Sequence, residues 1–151
     1  MREKEIWKRY RQLHPAADSY EAWSFAGGGA IGDELAELVV KGLKTATASA
    51  HCIYEVEKAP TPLVGALSVI LKTGGEAVCV IRTTSIRICR FCDVSSEHAY
   101  REGEGDRSLE YWRKVHRECF TKEMASHGLS FDEGMLVVCE EFVLELIDVN
   151  D

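Results

Sequence analysis

The chain has 151 residues, 46% of them hydrophobic and 28% charged, with a formal net charge of −7. That length suits one domain able to bury roughly two-thirds of its unfolded surface without disulfide or metal staples. No apolar run reaches the ~20 residues of a bilayer crossing, and the acidic balance disfavours indiscriminate binding to a polyanion, which needs Lys and Arg to neutralise phosphates, so a nucleic-acid role needs a local basic surface and long duplex is not expected.

The N-terminal run MREKEIWKRYRQLHP predicts a helix from about Lys4 to Leu13, stopped by Pro15. It lacks the apolar stretch and cleavage site of a secretory signal, so a cytoplasmic location is expected. Residues 1–21 thus form a helical extension, packed on the rest of a single domain spanning 1–151. Tyr20 to Phe25 reads as a short extended segment that brings Trp23 toward the core. The loop after it matches GxGxxG at Gly27, Gly29 and Gly32, ahead of a helix beginning near Asp33. A dinucleotide site is rejected, because AWSF is too short and mixed for a buried parallel strand and no βαβ repetition follows.

In the helix from Asp33, Leu35, Leu38 and Val39 face inward while Glu34, Glu37 and Lys41 face out, and Gly42 ends it. GLKTATAS follows. Its alternating hydroxyl and methyl side chains predict a strand with Thr45 and Thr47 on one face and Lys44 at the junction. Read in isolation, Lys44 is a solvated lysine at a helix C-terminus.

The segment AHCIYEVEKAPTP predicts a short helix ending near Pro60. LSVILKT and Ala77 to Ile88 are two strands of a hairpin joined through Gly74 and Gly75. Ser95 to Arg101 is helical, with Ser95 or Ser96 as its cap, and EGEGD breaks it. The clearest helix starts after Ser108, with a stripe of Leu109, Trp112, Val115 or His116, Cys119 and Phe120, and Gly128 lies beyond its end. Met135 to Ile147 closes the chain as a strand. Strands joined by a hairpin and by helical insertions predict an antiparallel α+β sheet or small barrel.

Six cysteines are present. Cys79, Cys119 and Cys139 lie in apolar segments, where thiols pack as small hydrophobes, so the reduced state is expected. Cys89 and Cys92 have CxxC spacing, but no second pair completes a zinc site. The unpaired His98 and His116 read as packing or capping residues, and Trp112 as core.

Taken together, AWSF, DELAELVVKGLKTATAS, the hairpin after Val64, HAYREGEGDRSLEYWRKVH and VVCEEFVLEL resemble, in this order, the ASCH family and in particular its larger bacterial members. The resemblance covers most of the chain. It implies a PUA-like small β-barrel, or a strongly curved and mostly antiparallel sheet, flanked by helices. It also implies a partner that is RNA or a nucleoside or nucleotide, with no cofactor, no metal and no membrane. A compact branch of the family deacetylates N4-acetylcytidine with a lysine, a threonine three residues later and a glutamate after a His-Ala pair. Matched motif to motif, these are Lys44, Thr47 and Glu102 as catalytic candidates. This chain departs from that branch in its N-terminal helix, the insertion SAHCIYEVEKAPTP and the long helix after Asp106.

Amide hydrolysis needs a nucleophile, oxyanion stabilisation and a proton for the leaving nitrogen. Thr47 supplies the first, Lys44 a base or an electrostatic clamp, and Glu102 an acid. Other family members are described as ribonucleases, which makes single-stranded RNA cleavage in the same cleft one alternative. There Tyr100, Tyr111 and Tyr54 would hold bases, Arg113 a phosphate, and His98 or His116 would be general bases. A non-catalytic RNA- or nucleotide-binding module is the other alternative. Thr45 is a lesser candidate for ligand contact.

Overall fold

The computed structural model describes residues 1–148. Its strands are β1 (Glu21–Trp23), β2 (Ala46–Ala50), β3 (Leu67–Leu71), β4 (Ala77–Arg90) and β5 (Leu136–Ile147). The helices are α1 (Glu3–Leu13), α2 (Gly29–Val40), α3 (His51–Val56), α4 (Ser96–Glu102) and α5 (Leu109–Ser126). None of these helices is long and apolar enough to cross a membrane.

The strands form one sheet in the order β1-β3-β4-β5-β2. All neighbours are antiparallel except β1 and β3, which run parallel. Register shifts between Ile70 and Leu71, between Val80 and Ile81 and between Thr83 and Ser85 interrupt the ladders. Such bulges bend a strand and increase its twist. The result is a half-barrel flanked by helices. The hairpin of β3 and β4 stands as read, with its turn through Thr73–Gly75.

Three apolar clusters hold the helices on the sheet. Ile6 and Tyr10 of α1 pack on Val69, Ala77 and Val80, while Ala36 and Val39 of α2 pack with Phe25, Ile70, Ile81 and Phe142. Trp112, Phe120 and Met124 of α5 pack with Phe91, Val137 and Ala50.

Several details differ from the sequence reading. Helix α2 begins at Gly29, four residues before Asp33, directly after Ala26, Gly27 and Gly28 at positive φ. Glycine pays no steric penalty there, so the chain reverses and enters the helix at once. Gly32 is not a phosphate-loop glycine: a Cβ at that position would lie 2.3 Å from the Phe25 carbonyl oxygen, so it serves close packing of α2 on the turn. On α5 the stripe runs Trp112, Phe120, Met124, and Cys119 is exposed because it lies one residue off that face. Cys79 and Cys139 are buried, and none of the six cysteines is paired.

Candidate active site

Lys44 is not a solvated lysine. It is 2% exposed, and its ammonium lies 3.1 Å from Glu102 Oε1, 3.1 Å from Glu104 Oε2 and 3.4 Å from the Glu102 carbonyl oxygen. Its three N–H donors are thereby all engaged.

Local backbone chemistry brings these segments together. The Ser95 side chain accepts from His98 N and caps α4, and Gly103 ends that helix in the left-handed conformation. A Cβ at Gly103 would lie 2.2 Å from the Leu43 carbonyl oxygen, so the absence of a side chain lets the end of α4 lie against the chain entering β2. Thr45 N donates to Arg101 O at 2.7 Å and secures the joint.

Glu102 is 1% exposed, with three hydrogen-bond partners and a fourth group just beyond hydrogen-bond reach. Besides Lys44, His98 Nε2 approaches Oε2 at 2.8 Å, the Trp112 indole N–H donates to the same oxygen, and His116 Nε2 lies 3.6 Å from Oε1. Burial pushes the Glu102 carboxyl up, but the charge of Lys44 and the donors on His116 and His98 outweigh it and hold the group well below the usual carboxylate range. Burial lowers His116, yet its approach to Glu102 and the charges of Glu102 and Glu104 leave it raised. Glu104 is raised by burial, with Glu102 adding and Lys44 opposing. Glu102, Glu104 and His116 lie close enough together to hold a metal ion. The Lys44 ammonium already sits between the two carboxylates, so a cation is built into the chain at that point.

A cavity of about 960 Å³ lies elsewhere on the sheet. Tyr20, Trp23, Phe25 and Tyr54 give it aromatic surface; Thr47 and Ser49 add hydroxyls; Asp18, Glu21 and Glu140 add acid. Among the described residues it has no Lys, Arg or His in its lining. Trp23 and Phe25 meet edge to face at 4.8 Å, and Ser49 Oγ is 2.8 Å from the Tyr54 hydroxyl.

Thr47 therefore lines the cleft, whereas Lys44 and Glu102 do not. The ammonium of Lys44 lies 5.4 Å from the centroid of the Phe25 ring, and Phe25 itself lines the cleft, so the buried pair reaches the cavity's edge only through that ring. Of the substrate-binding candidates, Tyr54 is in the cleft. Thr45 does not share Thr47's environment. It precedes β2, is held by Arg101, and with Tyr100 lines a separate groove of about 460 Å³ next to Arg101 and Arg107. Tyr111 covers Gly105, Arg113 donates to the Cys92 carbonyl at 3.1 Å, and neither lines either cavity.

Sequence reasoning overlooked Glu140, Glu21 and Trp23 as cleft residues. The available signal was Glu140 itself, a carboxylate inside the apolar run LVVCEEFVLELI; its place opposite Thr47 comes from the ladder. Burial and the nearby charge of Glu21 push its carboxyl up to about 7, with the Thr83 hydroxyl pulling the other way.

The structure is similar to the ASCH domain from Lactobacillus crispatus JV V101, with TM-score 0.88 and 31% identity over 95% of this chain and 93% of that one. A protein from Enterococcus faecalis V583 is as similar in structure, with TM-score 0.88 and 32% identity over 95% of this chain and 88% of the other. No curated protein matches the sequence. The ASCH domain model matches residues 21–145, from β1 through most of β5, and on that match the chain belongs to the ASCH domain family.

Proposed function

We propose that this RNA-associated domain receives a single nucleobase in the cleft beside Thr47 and hydrolyses the acetyl amide of an N4-acetylcytidine-type nucleoside without a metal. The observation that carries this reading is the composition of the cleft: aromatic walls and hydroxyls, three carboxylates and no cation lining it. Aromatic faces take a base by stacking, and hydroxyls and carboxylates accept and donate along its polar edge. A phosphodiester would bring negative charge against Asp18, Glu21 and Glu140 with nothing lining the cleft to neutralise it. The lining therefore favours the nucleoside over the ribonuclease reading.

In this account Thr47 is the nucleophile. Lys44 cannot act as a free base, because its donors are engaged by three oxygens. It acts instead as a fixed positive charge near the Phe25 ring, with Glu102 holding it in place.

Incubating purified protein with N4-acetylcytidine tests the reading by release of cytidine and acetate. Turnover that is lost in Thr47→Val and persists in chelator supports it. Cleavage of single-stranded RNA with no deacetylation supports the nuclease, and saturable binding without turnover supports the binding module.

A further inference from the structure

The cleft needs a group that moves a proton, and Glu102 is poorly suited to that task. Its two oxygens already face Lys44, His98, Trp112 and His116, it is 1% exposed, and it does not line the cavity. A carboxylate enclosed by so many donors is stabilised as an anion and has no open lone pair for a substrate proton.

Glu140 has the opposite surroundings. It is the direct cross-strand partner of Thr47 in the β2–β5 ladder, and both residues line the cleft. Directly opposite residues of an antiparallel pair project to the same face, with Cβ atoms about 4.5–5.5 Å apart. No ion pair engages its carboxylate among the described residues. The titratable groups that act on it are Glu21 from β1 and Tyr54 from α3, with the Thr83 hydroxyl contributed by β4, and Asp18 from the segment before β1 lines the same cleft. All the charged members of that set are acidic.

Resting on the hydrolase reading above, we propose that Glu140 is the catalytic base and acid of the cleft, relaying a proton between the Thr47 hydroxyl and the leaving nitrogen of the nucleobase. In the first half, the Glu140 carboxylate accepts the Thr47 hydroxyl proton as Oγ1 bonds to the acetyl carbon. The carboxylic acid so formed donates that proton to the exocyclic nitrogen as the C–N bond breaks, which releases cytidine and leaves acetyl on Thr47. In the second half, the carboxylate takes a proton from water, whose oxygen attacks the ester. The proton then passes to Thr47 Oγ1 as that C–O bond breaks, and acetic acid leaves. One water is consumed for each amide cleaved, and Glu140 ends in its starting form.

A base in this role must be ionised in the free enzyme. Its carboxyl lies near about 7 because of burial and the charge of Glu21, a value suited to proton transfer at neutral pH. The rate should therefore rise with pH through that value.

The test is the pH dependence of kcat/KM on N4-acetylcytidine for the intact chain and for Glu140→Gln, together with a ¹³C titration of the glutamate carboxyls. Glu140→Gln should keep KM within a few-fold, lower kcat by about 10²- to 10⁴-fold and abolish the rising limb. The ¹³C resonance that titrates near neutrality should vanish in the same variant. Wild-type turnover with an unchanged rate and limb in Glu140→Gln would overturn the role of Glu140 while leaving the hydrolase reading intact. No deacetylation by the wild type would overturn both.

Discussion

Lys44 and Glu102 form a pair whose two halves are not interchangeable with neutral residues one at a time. Removing one partner of a buried ion pair leaves the other charge uncompensated, at a typical cost of about 3–5 kcal/mol. Lys44→Ala, which strands Glu102 and Glu104, is expected to lose about that much stability in urea denaturation. Loss of activity in that variant must therefore be read beside its folding, whereas Thr47→Val tests the chemistry more directly. The pair also sets a pH window. The folded Glu102 carboxyl lies well below its usual range, so its contribution is fully present above about pH 4.3, the usual Glu value, and is lost as pH falls through the depressed folded value. His116 is raised, so its contribution is present below about pH 6.5 and fades as pH rises through the folded value. Glu140 runs the other way from Glu102: its carboxyl is raised to about 7, so folding resists its ionisation. Glu140→Gln should be more stable than wild type at pH 8, with the difference shrinking toward pH 4, as followed by thermal melts at both values. At this scale the sequence exposed Lys44 and Glu102 through the family motif, but not their burial. Nothing in GLKTATAS says that α4 will lie against it, since that contact depends on residues more than fifty positions away.

The elements explain why the contact forms. Helix α4 has only seven residues, too few to be stable alone, and its placement depends on the Ser95 cap at one end and Gly103 at the other. Gly103→Ala combines a left-handed φ of 73° with a Cβ 2.2 Å from a backbone oxygen. The expected cost is several kcal/mol by chemical denaturation, more than the ~1 kcal/mol of a capping loss in Ser95→Ala. The strands and the long helix were legible because their periodicity reflects burial directly: β4 and β5 follow apolar runs, and Trp112 and Phe120 mark the buried face of α5. The start of α2 was not legible, because it depends on consecutive glycines adopting positive φ, a backbone choice that no side-chain pattern reports. Thr45 was misplaced for a related reason. Period-two alternation assumes that the strand has already begun, and β2 begins one residue later.

Across the whole molecule, the fold carries two kinds of polar site. One is the largely buried charge network of Lys44, Glu102, Glu104, His98 and His116, whose ammonium lies near the Phe25 ring; the other is the open cleft with Thr47, Tyr54 and Glu140. Family resemblance pointed to the first and to Thr47 in the second, while the position of Glu140 beside Thr47 became visible only when β5 was paired with β2. The same architecture leaves α1 outside the matched family segment, yet Ile6 is fully buried on Val69 and Val80. Ile6→Ala should therefore cost about 2–5 kcal/mol in equilibrium unfolding while leaving nucleoside affinity unchanged. The location of the nucleoside itself is the point on which the account depends most. An ¹⁵N NMR titration with N4-acetylcytidine measures it directly: shifts should concentrate on the Trp23 indole and on the amides of Thr47, Ser49 and Tyr54. Shifts confined to Thr45, Tyr100, Arg101 and Arg107 would place the ligand in the other groove and contradict the account.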